Sequence, residues 1–424
     1  MLTRGTHGAS SVTPRSTFAH VSAAWLGSVS ASWSALSIWR SRAGSQKNEP
    51  FLTALGSASF HAEQRKKLSK NSDADGAIYQ EPSVTWTLRR ESLTFWKKVL
   101  KDGETIPQLR LHYLTLGTPH RDAAGHVDNA ILLLHGTGGD AHSLMNPVFS
   151  NVLFGPGQPF DITKFFLILP DDIGQGQSSK PSDGLRMHFP QYDYDDMVAS
   201  QHAMLEDGLH VDHLRLILGT SMGCMQSFVW GETYPQFADA LAPFACLPVE
   251  LAGRNRMWRY MAMESIKHDP AWNNGDYTTE PLEGLRGAND LILIAGSAPL
   301  QQQKNQPTRA QAEAFVDRFM TASLARTDAN DFLYYVNASR NYNPEPKLAT
   351  ITAPVLWINS ADDFINPPEL GIAEKMVTKM PNAKFILIPI SDATRGHGTH
   401  TQAIVWKQYL VAFLAQTEKT AEKK

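Results

Sequence analysis

The chain has 424 residues, 42% of them hydrophobic, with 39 Lys and Arg against 42 Asp and Glu and a formal charge of -3. That length buries a full core as one large domain with an insertion or as two smaller domains. Near-neutrality excludes the basic field that holds nucleic acid or an anionic lipid surface. Two cysteines, Cys224 and Cys246, are too few for a disulfide framework or a metal cluster; each follows an apolar strand pattern and reads as a buried small hydrophobe, leaving the redox compartment open.

Residues 1–80 read as a leader. The first 48 are rich in Ser, Ala and Arg (Arg4, Arg15, Arg40, Arg42), with no acid before Glu49, a composition that resembles an organelle transit peptide. FLTALGSASFHA (51–62) offers a second reading, a signal-peptide cleavage region; a disordered leader or a start codon set too far upstream is the third. A targeted protein is thereby favoured over a plainly cytoplasmic one. The stretch 18–39 is too polar for a membrane span.

From about residue 108 apolar strand patterns alternate with helical ones. LRLHYLTLG (109–117), AILLLHG (130–136), FFLILPD (165–171), LRLILG (214–219), ADALAPFAC (238–246), PVLWINS (354–360) and KFILIPI (384–390) read as strands, several apolar on both faces, as in sheets covered on both sides. Helical spacing appears over 192–209, 369–380 and 401–417. This alternation predicts an α/β fold with a mostly parallel sheet and right-handed crossovers, its core in two parts, 81–248 and 348–418. Between them, over 249–347, the alternation lapses into aromatics, polar turns and one good helix (308–325), which reads as a helical cap. Cap aromatics such as Trp258, Tyr260, Trp272, Tyr334 and Tyr335 belong mostly to its core, with an acyl pocket as the alternative. Residues 419–424 form a charged tail.

The candidate chemistry lies where strands end. Gly219-Thr220-Ser221-Met222-Gly223 follows a predicted strand and opens a predicted helix, the setting of a G-x-S-x-G nucleophile elbow. Glycine at both flanks relieves collisions with the neighbouring strand and helix, and the helix start points free N–H groups at an attacked carbonyl. A serine needs a base and the base a carboxylate, in the order Ser, acid, His. Asp362 and Asp363 compete for the acid; D-x-x-x-P to Pro367 favours Asp363, leaving Asp362 to cap or stay solvated. His397 and His400 compete for the base, and the Gly-His-Gly loop favours His397. A zinc pair from these two histidines lacks a third ligand, so no metal is expected. Met222 N–H and the N–H of Thr137, in the glycine-rich run after His135, are the expected oxyanion donors. DIGQGQSSK (172–180) lacks the Gly-Lys-Ser/Thr ending of a phosphate loop.

HGTGG, PDDIGQGQSSKPSDGL, GTSMGCMQSFVWGETYP, SIKHDPAWNNGDY, DANDFLYYVNASRNYNP, ADDFINPPE and GHGTHT, in this order, resemble the homoserine O-acetyltransferase-like branch of the α/β-hydrolase superfamily over residues 85–415. The resemblance implies an eight-stranded core with a helical cap and a ping-pong reaction through an acyl-serine at Ser221, with Asp363 and His397. It departs at the elbow, where the family usually has G-G-S-M-G-G, and at Met263, where an arginine would hold the acceptor's carboxylate. Arg254, Arg256 and Arg259 lie nearby, but a solvated or ion-paired helix is the plainer reading of that cluster. The expected function is therefore hydrolysis of small acyl esters or thioesters. Its rivals are O-acyl transfer with acyl-CoA as cosubstrate and a silent binding protein of the same fold. The expected partner is a small acyl substrate, with no cofactor and a possible homodimer.

Overall fold

The computed structural model describes residues 78–80, 85–87 and 89–421, all within one compact unit, residues 64–424. The leader expected over 1–80 lies almost wholly outside the described residues. β1 (Ile78–Gln80) and β2 (Thr85–Thr87) form an antiparallel pair of their own. The main sheet holds β3 (Arg89–Val99), β4 (Thr105–Leu116), β5 (Ala130–Leu134), β6 (Phe166–Pro170), β7 (Leu216–Thr220), β8 (Leu241–Phe244), β9 (Val355–Ser360) and β10 (Ala383–Ile388). Their order is β10-β9-β8-β7-β5-β6-β4-β3. Pairing is parallel from β10 to β6; β4 and β3 close one edge antiparallel.

Alternation along a strand sends successive side chains to opposite faces, and every residue of β5 is buried, so both faces must be covered. Leu132 and Leu134 enter one core with Met197, Phe228, Trp230 and Met376; Ile131 and Leu133 enter the other with Phe149, Leu153, Trp406 and Leu410. The covering helices follow: α2 (Tyr194–Ala203), α3 (Met222–Thr233) and α9 (Ile372–Val377) on the first face, α1 (Pro147–Leu153) and α10 (Ala403–Ala421) on the second.

Between β8 and β9 the chain runs through α4 (Gly253–Lys267), α5 (Leu282–Gly296), α6 (Pro299–Asn305), α7 (Arg309–Leu324) and α8 (Ala329–Asn337). These carry a separate small core in which Met263, Ile266 and Trp272 pack with Leu285, Phe332 and Val336. Thr308 caps α7 through a reciprocal box with Gln311, and Asp328 caps α8, each satisfying N–H groups that a helix start leaves free.

Three sequence readings are corrected. β3 was not anticipated: it is an edge strand with one neighbour, and the charges in RRESLTFWKKV mask its alternation. The expected helix over 192–209 ends at Ala203 and passes into a wider π turn, Met204–Gly208. The cysteines are buried as expected but not free. Cys224, in the first turn of α3, and Cys246, just past β8, form a disulfide with their Cα atoms 5.8 Å apart. Parallel neighbours β7 and β8 bring the two together across 22 residues of chain.

Candidate active site

At the end of β7 the chain turns through Ser221 with φ 56° and ψ −109°, a left-handed backbone that a side chain adopts only under constraint. The flanking glycines are required by contact. A methyl on Gly219 would lie 1.9 Å from Gly223 O, and one on Gly223 would lie 2.4 Å from Leu134 O. The turn is held by Ser221 N–H donating to Phe244 O at 2.8 Å and Gly223 N–H to His135 O at 2.9 Å.

Ser221 Oγ lies 2.7 Å from His397 Nε2, and His397 Nδ1 lies 2.9 Å from Asp363 Oδ2. An ionised carboxylate only accepts, so the proton sits on Nδ1 and Nε2 is left to accept from the serine hydroxyl. Asp363 is 1% exposed. Burial alone would raise its pKa; the electrostatic interaction with the His397 ring and the hydrogen bonds from His397, Asn366 Nδ2 and the Ile365 N–H outweigh burial and hold it below the ordinary value. The carboxylate thus stays ionised while buried.

Asp362 faces elsewhere. It accepts from Ser360 Oγ and, at 3.0 Å, from the Gly396 N–H, tying the histidine loop to the end of β9. His400 sits beside His397, ring centroids 5.1 Å apart, with its buried Nδ1 unbonded. Burial first, then the neighbouring His397, lower its pKa to about 3, partly opposed by Asp363. It is a neutral ring.

On the other side of the serine, a methyl on Gly136 would meet Ser221 Cβ at 3.3 Å, so the loop after β5 passes against the hydroxyl, and Thr137 follows it into the same cavity. Met222 opens α3, where its N–H has no intrahelical acceptor. The loop's position depends on a segment whose role the sequence did not disclose. Gln175 Oε1 accepts from the Gly138 N–H at 2.8 Å. The flanking Gly174 and Gly176 are pressed so close to Tyr192 and Asp171 that a methyl on either would overlap them, at 1.8 and 2.1 Å. Asp171 is itself held by His112 at 2.8 Å.

A cavity of about 640 Å³ opens above Ser221. The cap contributes Arg326, Asp328, Asp331 and Tyr335, the last two one turn apart on α8. Asp331 accepts from the N–H and hydroxyl of Ser182, at 2.8 and 2.7 Å; burial, then repulsion from Asp328, pushes its carboxyl up to about 7. Of the other cap aromatics, Trp272 is in the cap core, Tyr334 packs on Phe189 and Tyr192, and Tyr260 is 54% exposed.

The arginine cluster fits the solvated reading at Arg254, which is exposed, and departs from the solvated or ion-paired reading at Arg259, which is buried. Arg254 stacks on Phe364 at 3.6 Å. Arg259 is 3% exposed, and among the described residues it has no carboxylate within ion-pair reach. Its guanidinium is met by Asn255 at 3.0 Å, Ser339 at 3.5 Å and the Trp258 ring. Met263 is part of the cap core. Among the described residues no group of three or more His, Cys, Asp or Glu is placed to hold a metal, and no helix is long and apolar enough to cross a membrane.

Residues 129–391 match a family described as alpha/beta hydrolase fold. Among curated relatives, a homoserine O-acetyltransferase of Chloroherpeton thalassium is 29% identical over 330 residues, 71% of this chain and 82% of that one. A probable acyltransferase of Methanothermobacter thermautotrophicus is 28% identical, over 74% of this chain and 94% of its own. Among solved structures, homoserine O-acetyltransferase from Bacillus anthracis superposes with a TM-score of 0.68 at 21% identity, over 77% of this chain and 97% of that one. The acetyl esterase MekB does so with a TM-score of 0.66 at 23% identity, over 77% and 96%.

Proposed function

Since the chain belongs to the alpha/beta hydrolase fold family, we propose that it is a serine acyl-transfer enzyme that hydrolyses small acyl esters or thioesters through an acyl-serine at Ser221. One observation carries the reading: the hydrogen-bonded series Ser221, His397, Asp363, with spacings of 2.7 and 2.9 Å, at the floor of an open cavity. His397 Nε2 takes the hydroxyl proton as Oγ attacks the acyl carbon. The oxyanion is met by the N–H groups of Thr137 and Met222, and the imidazolium returns its proton to the departing alcohol or thiol. Water repeats the sequence in reverse and frees the acid. Asp363 keeps the ring in the tautomer that does this.

A second reading has its own support. Relatives bear acyltransferase names, and an alcohol in place of water would make the reaction an O-acyl transfer, with acyl-CoA as donor. Met263 and the cap core around it argue for an acceptor other than homoserine. Neither reading calls on a metal or a resident cofactor.

The test is to mix the enzyme with p-nitrophenyl acetate and with acetyl-CoA, quench early, and measure the mass of the elbow peptide. A 42-dalton acetyl adduct on Ser221 that water clears supports hydrolysis; clearance accelerated by homoserine, serine or a simple alcohol supports transfer. Ser221→Ala is expected to lose about 10⁴-fold or more in kcat with its fold unchanged. Turnover by that variant would sink both readings.

A further inference from the structure

The disulfide joins two strained stretches of backbone that both serve the site. Among the described residues, Ser221 and Ala245 are two of the few non-glycine residues with positive φ, 56° and 67°. They are held against each other, because Ser221 N–H donates to the carbonyl of Phe244, the residue just before Ala245. Such backbone persists only where the surroundings over-determine it.

Ala245 O accepts from Asn366 Nδ2 at 3.1 Å, and the same amide donates to Asp363 Oδ2 at 2.9 Å. Cys246 is gripped from β9: its N–H donates to Asn359 Oδ1 at 3.2 Å, and its carbonyl accepts from Asn359 Nδ2 and Trp357 Nε1 at 3.0 and 3.1 Å. The segment 244–246 therefore touches the backbone of the serine on one side and the support of the acid on the other. The bond from Cys246 to Cys224, three residues past Ser221, closes this arrangement covalently.

We propose that the Cys224–Cys246 disulfide is a positioning element of the acyl-transfer site, one that fixes the elbow relative to the acid turn and makes turnover depend on its oxidation state. This rests on the reading of Ser221 as nucleophile. With a dithiol such as dithiothreitol, the Sγ–Sγ bond breaks, two protons and two electrons pass to the cysteines as thiols, and the reagent closes to its own disulfide. Hydrogen bonds still hold the fold, but the covalent tie between the first turn of α3 and segment 244–246 is gone, leaving the Ser221 N–H to Phe244 O bond as their link, and Ser221 Oγ holds its approach to His397 Nε2 less tightly. Small misplacements of reacting groups cost about 10- to 100-fold in rate.

The full chain is to be compared in three forms: oxidised, reduced by dithiothreitol in mild urea and then freed of urea with the thiols verified by alkylation mass, and as the Cys224→Ala/Cys246→Ala variant. Readouts are kcat and KM for p-nitrophenyl acetate, the rate of fluorophosphonate labelling at Ser221, and far-UV circular dichroism. Support is a fall in kcat and labelling rate of about tenfold or more, with KM within about twofold and the spectrum unchanged, in both the reduced and variant forms. Reoxidation should restore the reduced enzyme, and dithiothreitol should leave the variant as it was. Full kcat in verified reduced enzyme overturns the proposal. So does activity lost together with the far-UV signal, which would make the bond one of global stability. The reduced form decides the question even where the variant does not fold. Ser221→Ala in the oxidised state separates the two levels: turnover retained there sinks the nucleophile reading itself, whereas a silent Ser221→Ala beside fully active reduced enzyme sinks only the role of the bond.

Discussion

Two histidines three residues apart carry opposite demands. In the proposed reaction His397 exchanges a proton with Ser221; His400 is kept neutral by burial and by His397. Both His397→Ala and His400→Gln are expected to fold, with about 10³-fold or greater loss of kcat in the first and less than about tenfold in the second. His400 should also be visible in stability. Its folded pKa of about 3 lies below the unfolded value of 6.5, so between those pH values the unfolded state binds more protons. The stability it contributes is present above about 6.5 and is lost as pH falls toward 3. Urea unfolding of His400→Gln should therefore show a weaker loss from pH 8 to pH 5, with a relative gain of up to about 2 kcal/mol at pH 5. An identical slope in both proteins would count against the buried neutral ring.

At the scale of elements, the elbow was legible because its glycines answer to contacts within one strand-turn-helix unit. The expected costs differ by position. Gly223→Ala drives a methyl to 2.4 Å from the Leu134 carbonyl, which only backbone movement relieves, and soluble expression should collapse. Gly136→Ala places its methyl 3.3 Å from Ser221 Cβ, a contact that small shifts absorb. It should fold, melt within a few degrees of the parent and lose kcat as the oxyanion loop moves. Normal activity in Gly136→Ala would argue against that loop as a donor.

The DIGQGQSSK loop was legible only as what it is not. Its role rests on Gln175 reaching Gly138 across 37 residues, which local spacing does not encode. For the same reason Asp331 was hidden, and Tyr335 could not be told from the other cap aromatics named with it: a cap helix shows its periodicity in sequence, but the face that looks into the cavity is set by how the cap sits on the sheet.

For the whole molecule, chain order was readable because alternating strand and helix leave few parallel topologies. What escaped were links between distant segments, the disulfide foremost, since two cysteines 22 residues apart carry no pairing signal of their own. The cap also bears on whether the chain pairs with a second copy, the homodimer expected from sequence. Met257, Tyr260 and Met261 on α4 are 61%, 54% and 52% exposed, an apolar stripe of the kind that marks a contact between chains. If the parent sediments as a dimer, Met261→Asp should turn it to monomer with kcat per chain kept; a monomeric parent would remove the stripe from consideration.

The serine and its base are separated by 176 residues, and the base arrives only after β9 and β10 have joined the sheet. While the ribosome is still translating, a nascent chain that already displays the elbow has nothing to deprotonate it. On the proposed reading of Ser221 as nucleophile, a half-made copy would therefore carry the elbow without its base, and only the finished chain would be armed.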